Sequence, residues 1–200
     1  MSRPHKRHKG EFWLDFFACF LIPAYTLLFA GSVEWFGTNF SVLAVTGRDH
    51  YRGFFLWGLM TAGYFLAVLT SLTRTLPKRR ERWGLIVLCL IACVCLGCAL
   101  VVPYLPQDFP KFAKLHVVLA FGACALMMAA ILLALLCCRR ADKKRYNKLL
   151  WGWLFIAAGS TVLFLVAGMV SSALEVFFTI SAALLVRKLW LLRWREQGRT

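Results

Sequence analysis

Residues 115–136 read LHVVLAFGACALMMAAILLALL, and residues 137–148 directly after them read CCRRADKKRYNK. The first stretch is apolar apart from His116 and is long enough for a helix across a bilayer, which takes about 20 mostly apolar residues. The second stretch carries six Lys and Arg. An apolar run that ends abruptly in basic residues is the pattern of a spanning helix stopped at a membrane surface, because a lipid-exposed backbone must satisfy its polar groups within the helix.

The same reading repeats along the chain, with apolar windows at residues 12–30, 54–72, 83–105, 115–136, 149–170 and 171–192. The expected fold class is therefore all-α: a polytopic integral membrane bundle of six transmembrane helices forming one domain over residues 1–200. The connections are short, and a tight turn around Gly168 to Ser172 is expected before the last span. Composition agrees: 60% of the chain is hydrophobic and 16% charged, against about 45–50% and about 25% in soluble domains. A net charge of +15 would suit a disordered nucleic-acid-binding tail, but a mean hydropathy of +0.68 excludes it.

Basic residues near span ends are retained on the cytoplasmic side. Twenty of the 24 Lys and Arg residues fall before the first window, in the second and fourth connections, or at the C-terminal end. Only Arg48, Arg52, Lys111 and Lys114 fall on the opposite side. Both termini are thus expected in the cytoplasm. Trp13, Trp83, Trp151, Trp153, Trp190 and Trp194 would form an anchoring belt at that face. The first window is too long for a secretory h-region and contains Asp15, so it reads as an uncleaved signal anchor. The basic loops are expected to meet anionic headgroups; being divided among four membrane-proximal segments, they do not form a nucleic-acid-binding face.

The eight cysteines, Cys19, Cys89, Cys93, Cys95, Cys98, Cys124, Cys137 and Cys138, fall within windows or at their basic ends, where they read as small packing residues rather than a disulfide framework or a metal set. Cys137 and Cys138 beside Arg139 and Arg140 also fit palmitoylation in a eukaryotic host. Asn39-Phe40-Ser41 is a formal N-glycosylation sequon. With His116 alone among the four histidines inside a window, haem ligation is disfavoured. No phosphate-binding loop, nucleophile elbow or zincin motif occurs, and no cofactor is expected.

Ionisable residues inside spans are costly and point to function. His116, Glu175 and Asp15 are the three of note. His116 opens the fourth window and Glu175 the sixth, at the same expected depth on the outward side. Ala113, His116, Ala120, Ala123 and Met127 share one helical face, as do Ser171, Ser172, Glu175, Thr179 and Ala182. Small and polar stripes of this kind mark helix contacts in lipid, so His116 and Glu175 are expected to face the bundle interior. They form either an outward-opening polar site, completed by Asn39, Asp49, His50 or Asp108, or a hydrogen-bonded clasp between two helices. Asp15 reads as an inner-side carboxylate paired with Arg74 or Arg187.

The runs Leu115-His116-Val117-Val118-Leu119-Ala120-Phe121 and Ser171-Ser172-Ala173-Leu174-Glu175-Val176-Phe177-Phe178, set in a six-span pattern, resemble the family of FGF-receptor-activating proteins and damage-regulated autophagy modulators, together with similar bacterial membrane proteins. Val176 stands where that family often has tryptophan. The resemblance implies a membrane modulator or lipid-associated protein without an established catalytic site, with His116 and Glu175 as the residues carried over. The expected function is a non-enzymatic multi-pass membrane protein that binds lipid or a partner membrane protein. A proton- or cation-coupled transporter using the same polar pair, and an intramembrane hydrolase with His116 as acid or base, are the alternatives. A bacterial plasma membrane and a eukaryotic plasma or internal membrane fit equally.

Overall fold

The computed structural model describes residues 9–31, 34–46 and 50–197. These residues are helical throughout apart from turns, with no strand. The first rod comprises α1 (Lys9–Phe16), a π turn (Phe17–Leu21) and α2 (Ile22–Ala30). Pro23 is the second residue after that π turn. A proline removes the bond to the fourth residue before it and crowds that carbonyl, and a wider turn absorbs the conflict without breaking the rod. The following helices are α3 (Phe40–Thr46), α4 (His50–Thr73), α5 (Arg79–Val101), α6 (Pro110–Arg139), α7 (Lys143–Ala167) and α8 (Ser172–Gln197).

Five helical segments are long and apolar enough to cross a membrane: Glu11–Ala30, His50–Thr73, Arg79–Val101, Pro110–Arg139 and Lys143–Ala167. The sixth expected span lies in α8, which at 26 residues is as long as the others but differs in composition. Glu175, Arg187, Lys188, Arg193 and Arg195 interrupt its apolar stretches. The third span ends at Val101 rather than at residue 105 because Pro103 forces the preceding residue out of helical geometry, and Val102 is extended at φ −81 and ψ 112. The long first connection contains α3, which was not expected as a helix. Gly168 closes α7 in the left-handed region at φ 68, its N–H donating to Phe164 O, as expected for a glycine after a helix C-terminus.

Lipid offers no hydrophobic drive to join two helices, so close packing of small residues takes over. The α5–α6 pair illustrates this, with Leu85, Cys89 and Ala92 of α5 buried along with Ala123, Ala130 and Ala134 of α6. At the end of the bundle that holds the basic connections, one large core joins α4, α5, α6 and α8 through Leu69, Leu72, Leu85, Ile131, Leu135, Val186 and Leu189. At the opposite end a smaller aromatic core surrounds Phe40, which stands edge-on to Phe29 and Trp57 with ring centroids 5.1 and 5.0 Å away.

Helix α7 behaves differently along its length. Tyr146, Leu149 and Ile156 are buried, and no residue of α7 after Ile156 is. Its second half keeps contact with α8, where Gly159 and Phe155 meet Phe177, but is otherwise more exposed and borders a space beside α6 and α8.

Several of the basic residues make bonds within the protein. Arg187 Nε donates to Asp15 Oδ1 at 2.7 Å, so Asp15 is held by one of its two expected partners. Arg193 donates to Thr75 O at 2.7 Å and to Glu196 Oε2 at 3.0 Å, Arg139 Nε to Asn147 Oδ1 at 2.7 Å, and Arg140 pairs with Glu81. Of the six tryptophans expected at that face, Trp13, Trp83, Trp151 and Trp194 are exposed. Trp153 and Trp190 turn inward instead, donating to Met128 O and Ser71 Oγ.

Candidate functional site

The site is built on α3. Asn39 caps that helix, its Oδ1 accepting from Val42 N at 2.9 Å and its carbonyl from Leu43 N at 3.0 Å, the usual service of asparagine at a helix start. Asn39 is 8% exposed. A glycan needs a projecting side chain, so the sequon does not read as a glycosylation site, and Asn39 serves α3 as a cap rather than as a ligand.

Two long-range clamps hold α3 and the residues before it. At the start of α8, Ser172 N donates to Thr38 O at 2.7 Å and Ala173 N to Trp35 O at 2.9 Å; helix-start N–H groups that would otherwise lack partners are satisfied by the loop. Glu175 Oε2 accepts from Phe40 N at 2.7 Å. On the other side, Ser41 Oγ lies 2.7 Å from His116 Nε2, and His116 Nδ1 lies 2.8 Å from Val102 O.

The second of these contacts sets the tautomer. A carbonyl oxygen only accepts, so the neutral imidazole carries its proton on Nδ1 and presents a lone pair on Nε2, to which the Ser41 hydroxyl donates. Val102 O is free to accept because it lies just beyond the end of α5. The Tyr104 ring lies 5.7 Å from the imidazole, and His116 is 4% exposed.

His116 and Glu175 come to the same cavity, of about 360 Å³, together with Ser41. Among the described residues the two are not bonded to each other, so the clasp between helices α6 and α8 is not a direct one. Each is bonded to α3, which lies between them. From this polar end the cavity continues along an apolar wall of Leu96, Cys124, Met128 and Phe178. His116 and Met128 are twelve residues apart on α6, which at 1.5 Å per residue is about 18 Å along the bundle. A smaller space of about 60 Å³ adjoins it near Cys124 and Phe178.

The cavity has a lateral mouth. Its exposed lining residues Phe121, Cys124, Ala125, Thr161 and Phe164 stand on α6 and α7, where the second half of α7 is no longer fully buried. Inside, Ser160 Oγ is buried with no hydrogen-bond partner among the described residues. Cavities of this size lined by apolar groups with a few convergent polar atoms are the usual form of a ligand site.

Of the other expected contributors, His50 is exposed and its Nδ1 lies 3.2 Å from Leu43 O. Asp108 is exposed in the α5–α6 connection. Neither lines the cavity. Asp49 lies outside the described residues. Asp15 belongs to the opposite end, with Arg187. No group of three His, Cys, Asp or Glu able to hold a metal ion occurs among the described residues. Ser41 was noticed in the sequence only as the last residue of a sequon; its approach to His116 spans 75 positions and left no local signal.

Comparison with protein-family models, with curated proteins and with solved structures finds no match to this chain.

Proposed function

We propose that this chain is a six-span membrane protein with both termini in the cytoplasm, which takes a single lipid acyl chain from the bilayer into the cleft between α6 and α7. The observation that carries the reading is the sideways mouth formed by Phe121, Ala125, Thr161 and Phe164. A solute from water would need an opening at an end of the bundle, whereas an acyl chain enters from the side. The apolar wall suits its methylenes, each worth about 0.8 kcal/mol on burial, and Ser41, His116 and Glu175 suit the polar head or ester end. The excess of Lys and Arg in the connections on one side supports the orientation. The resemblance to the FGF-receptor-activating and damage-regulated autophagy modulator family belongs to the same proposal and implies a lipid-associated role.

The test is native mass spectrometry of the protein released from nanodiscs of mixed phospholipids. The wild type should retain one lipid. Ala125→Trp, which fills the mouth, should lose it while leaving the melting temperature within a few degrees of wild type. Equal lipid retention by both proteins would refute the reading.

A further inference from the structure

The Ser41–His116–Val102 arrangement has the geometry of an activated nucleophile. Serine is a weak nucleophile unless a base within hydrogen-bond reach, about 2.6–3.2 Å, takes its proton and a third group orients that base. Here Ser41 Oγ is 2.7 Å from His116 Nε2, and Val102 O holds Nδ1 at 2.8 Å. The carbonyl occupies the place that a carboxylate takes in serine triads, fixing the productive tautomer. Ser41 and His116 both line the cavity, so the hydroxyl is presented where the ester end of a bound chain would lie.

We propose that Ser41 is the nucleophile of an intramembrane acyl hydrolase acting on ester-linked acyl lipids, with His116 as its general base and acid. This inference rests on the lipid-binding reading of the cleft. Ser41 Oγ attacks the ester carbonyl carbon as its proton passes to His116 Nε2, giving a tetrahedral species. The bond from that carbon to the lipid's alkoxy oxygen then breaks. The departing oxygen takes the proton from Nε2, leaving an acyl ester on Ser41 and a lysolipid alcohol. Water completes the cycle: His116 removes its proton, the oxygen attacks the acyl carbonyl, and the proton returns to Ser41 Oγ as the fatty acid leaves. The reaction involves no change of oxidation state.

Glu175 acts by position. Its bond to Phe40 N fixes the residue before Ser41, so the carboxyl group sets where the nucleophile stands without taking its proton.

The experiment treats the full chain in phosphatidylethanolamine and phosphatidylglycerol nanodiscs with a hexadecyl fluorophosphonate, which adds to activated serines with loss of fluoride, and maps the label by peptide mass spectrometry. Retained lipid and released fatty acid are measured on the same samples. Wild type should be labelled at Ser41 and should release fatty acid; Ser41→Ala should show neither. His116→Gln keeps an amide able to donate to Val102 O but has no base, so labelling should fall by roughly a hundredfold or more. A merely structural histidine would allow the glutamine variant to label normally, and that result would overturn the proposal. Retained lipid with Ser41 unlabelled in wild type would overturn the hydrolase while leaving the lipid reading intact. Neither lipid nor label would overturn both.

Discussion

The Glu175 carboxyl group accepts a hydrogen bond from Phe40 N at 2.7 Å, joining the first turn of α8 to the first turn of α3 across 135 positions of sequence. Phe40 is fully buried, so its N–H has no water to turn to. Removing the acceptor leaves a buried donor unpaired, at a cost of about 1–3 kcal/mol. Glu175→Ala should therefore lower the melting temperature in detergent clearly. Glu175→Gln, which retains a carbonyl acceptor, should lower it less. Equal losses in the two variants would mean that the bond contributes nothing to stability.

The approach of α4 to α5 depends on Gly58. A Cβ at that position would lie 2.5 Å from Leu100 Cδ1, and Leu100 is itself buried. Overpacking of this kind typically costs about 1–3 kcal/mol. Gly58→Ala should destabilise the protein, and adding Leu100→Ala should recover part of the loss, since neighbouring substitutions that share one space are not additive. Thermal unfolding of the two single variants and the double variant measures that coupling. Strict additivity would show that the helices adjust independently.

The proposed topology predicts that reporters active only in the cytoplasm work when fused to either end of the chain. With five spans, the two ends would lie on opposite sides and only one fusion would be active. The result depends on whether α8 crosses the membrane, and it is independent of what occupies the cleft.

Five of the long helical segments were legible in the sequence because spanning a bilayer imposes a length and a composition that each such segment meets by itself. The buried faces of α6 and α8 were legible for the same reason. Ala113, His116, Ala123 and Met127 recur at helical spacing and are buried, as are Ser171, Ser172, Thr179 and Ala182. Small residues at that spacing carry helix packing wherever lipid surrounds the bundle. Asp15 was legible as half of an ion pair, because a carboxylate in that setting needs a cation.

What joins His116 and Glu175 was decided only by tertiary structure. The sequence placed both at one depth, from which a direct bond was a natural reading, but a depth does not say what stands between two helices. The intervening element is α3, whose seven residues are mostly apolar but far too few for the length rule that announces a spanning helix. The short helix carries Ser41 to His116 and Phe40 N to Glu175, and both contacts depend on where the chain returns in space. The cleft was hidden for a related reason: α7 is predominantly apolar from Leu149 to Ala167, so composition does not distinguish the part buried against protein from the part left exposed beside the cavity.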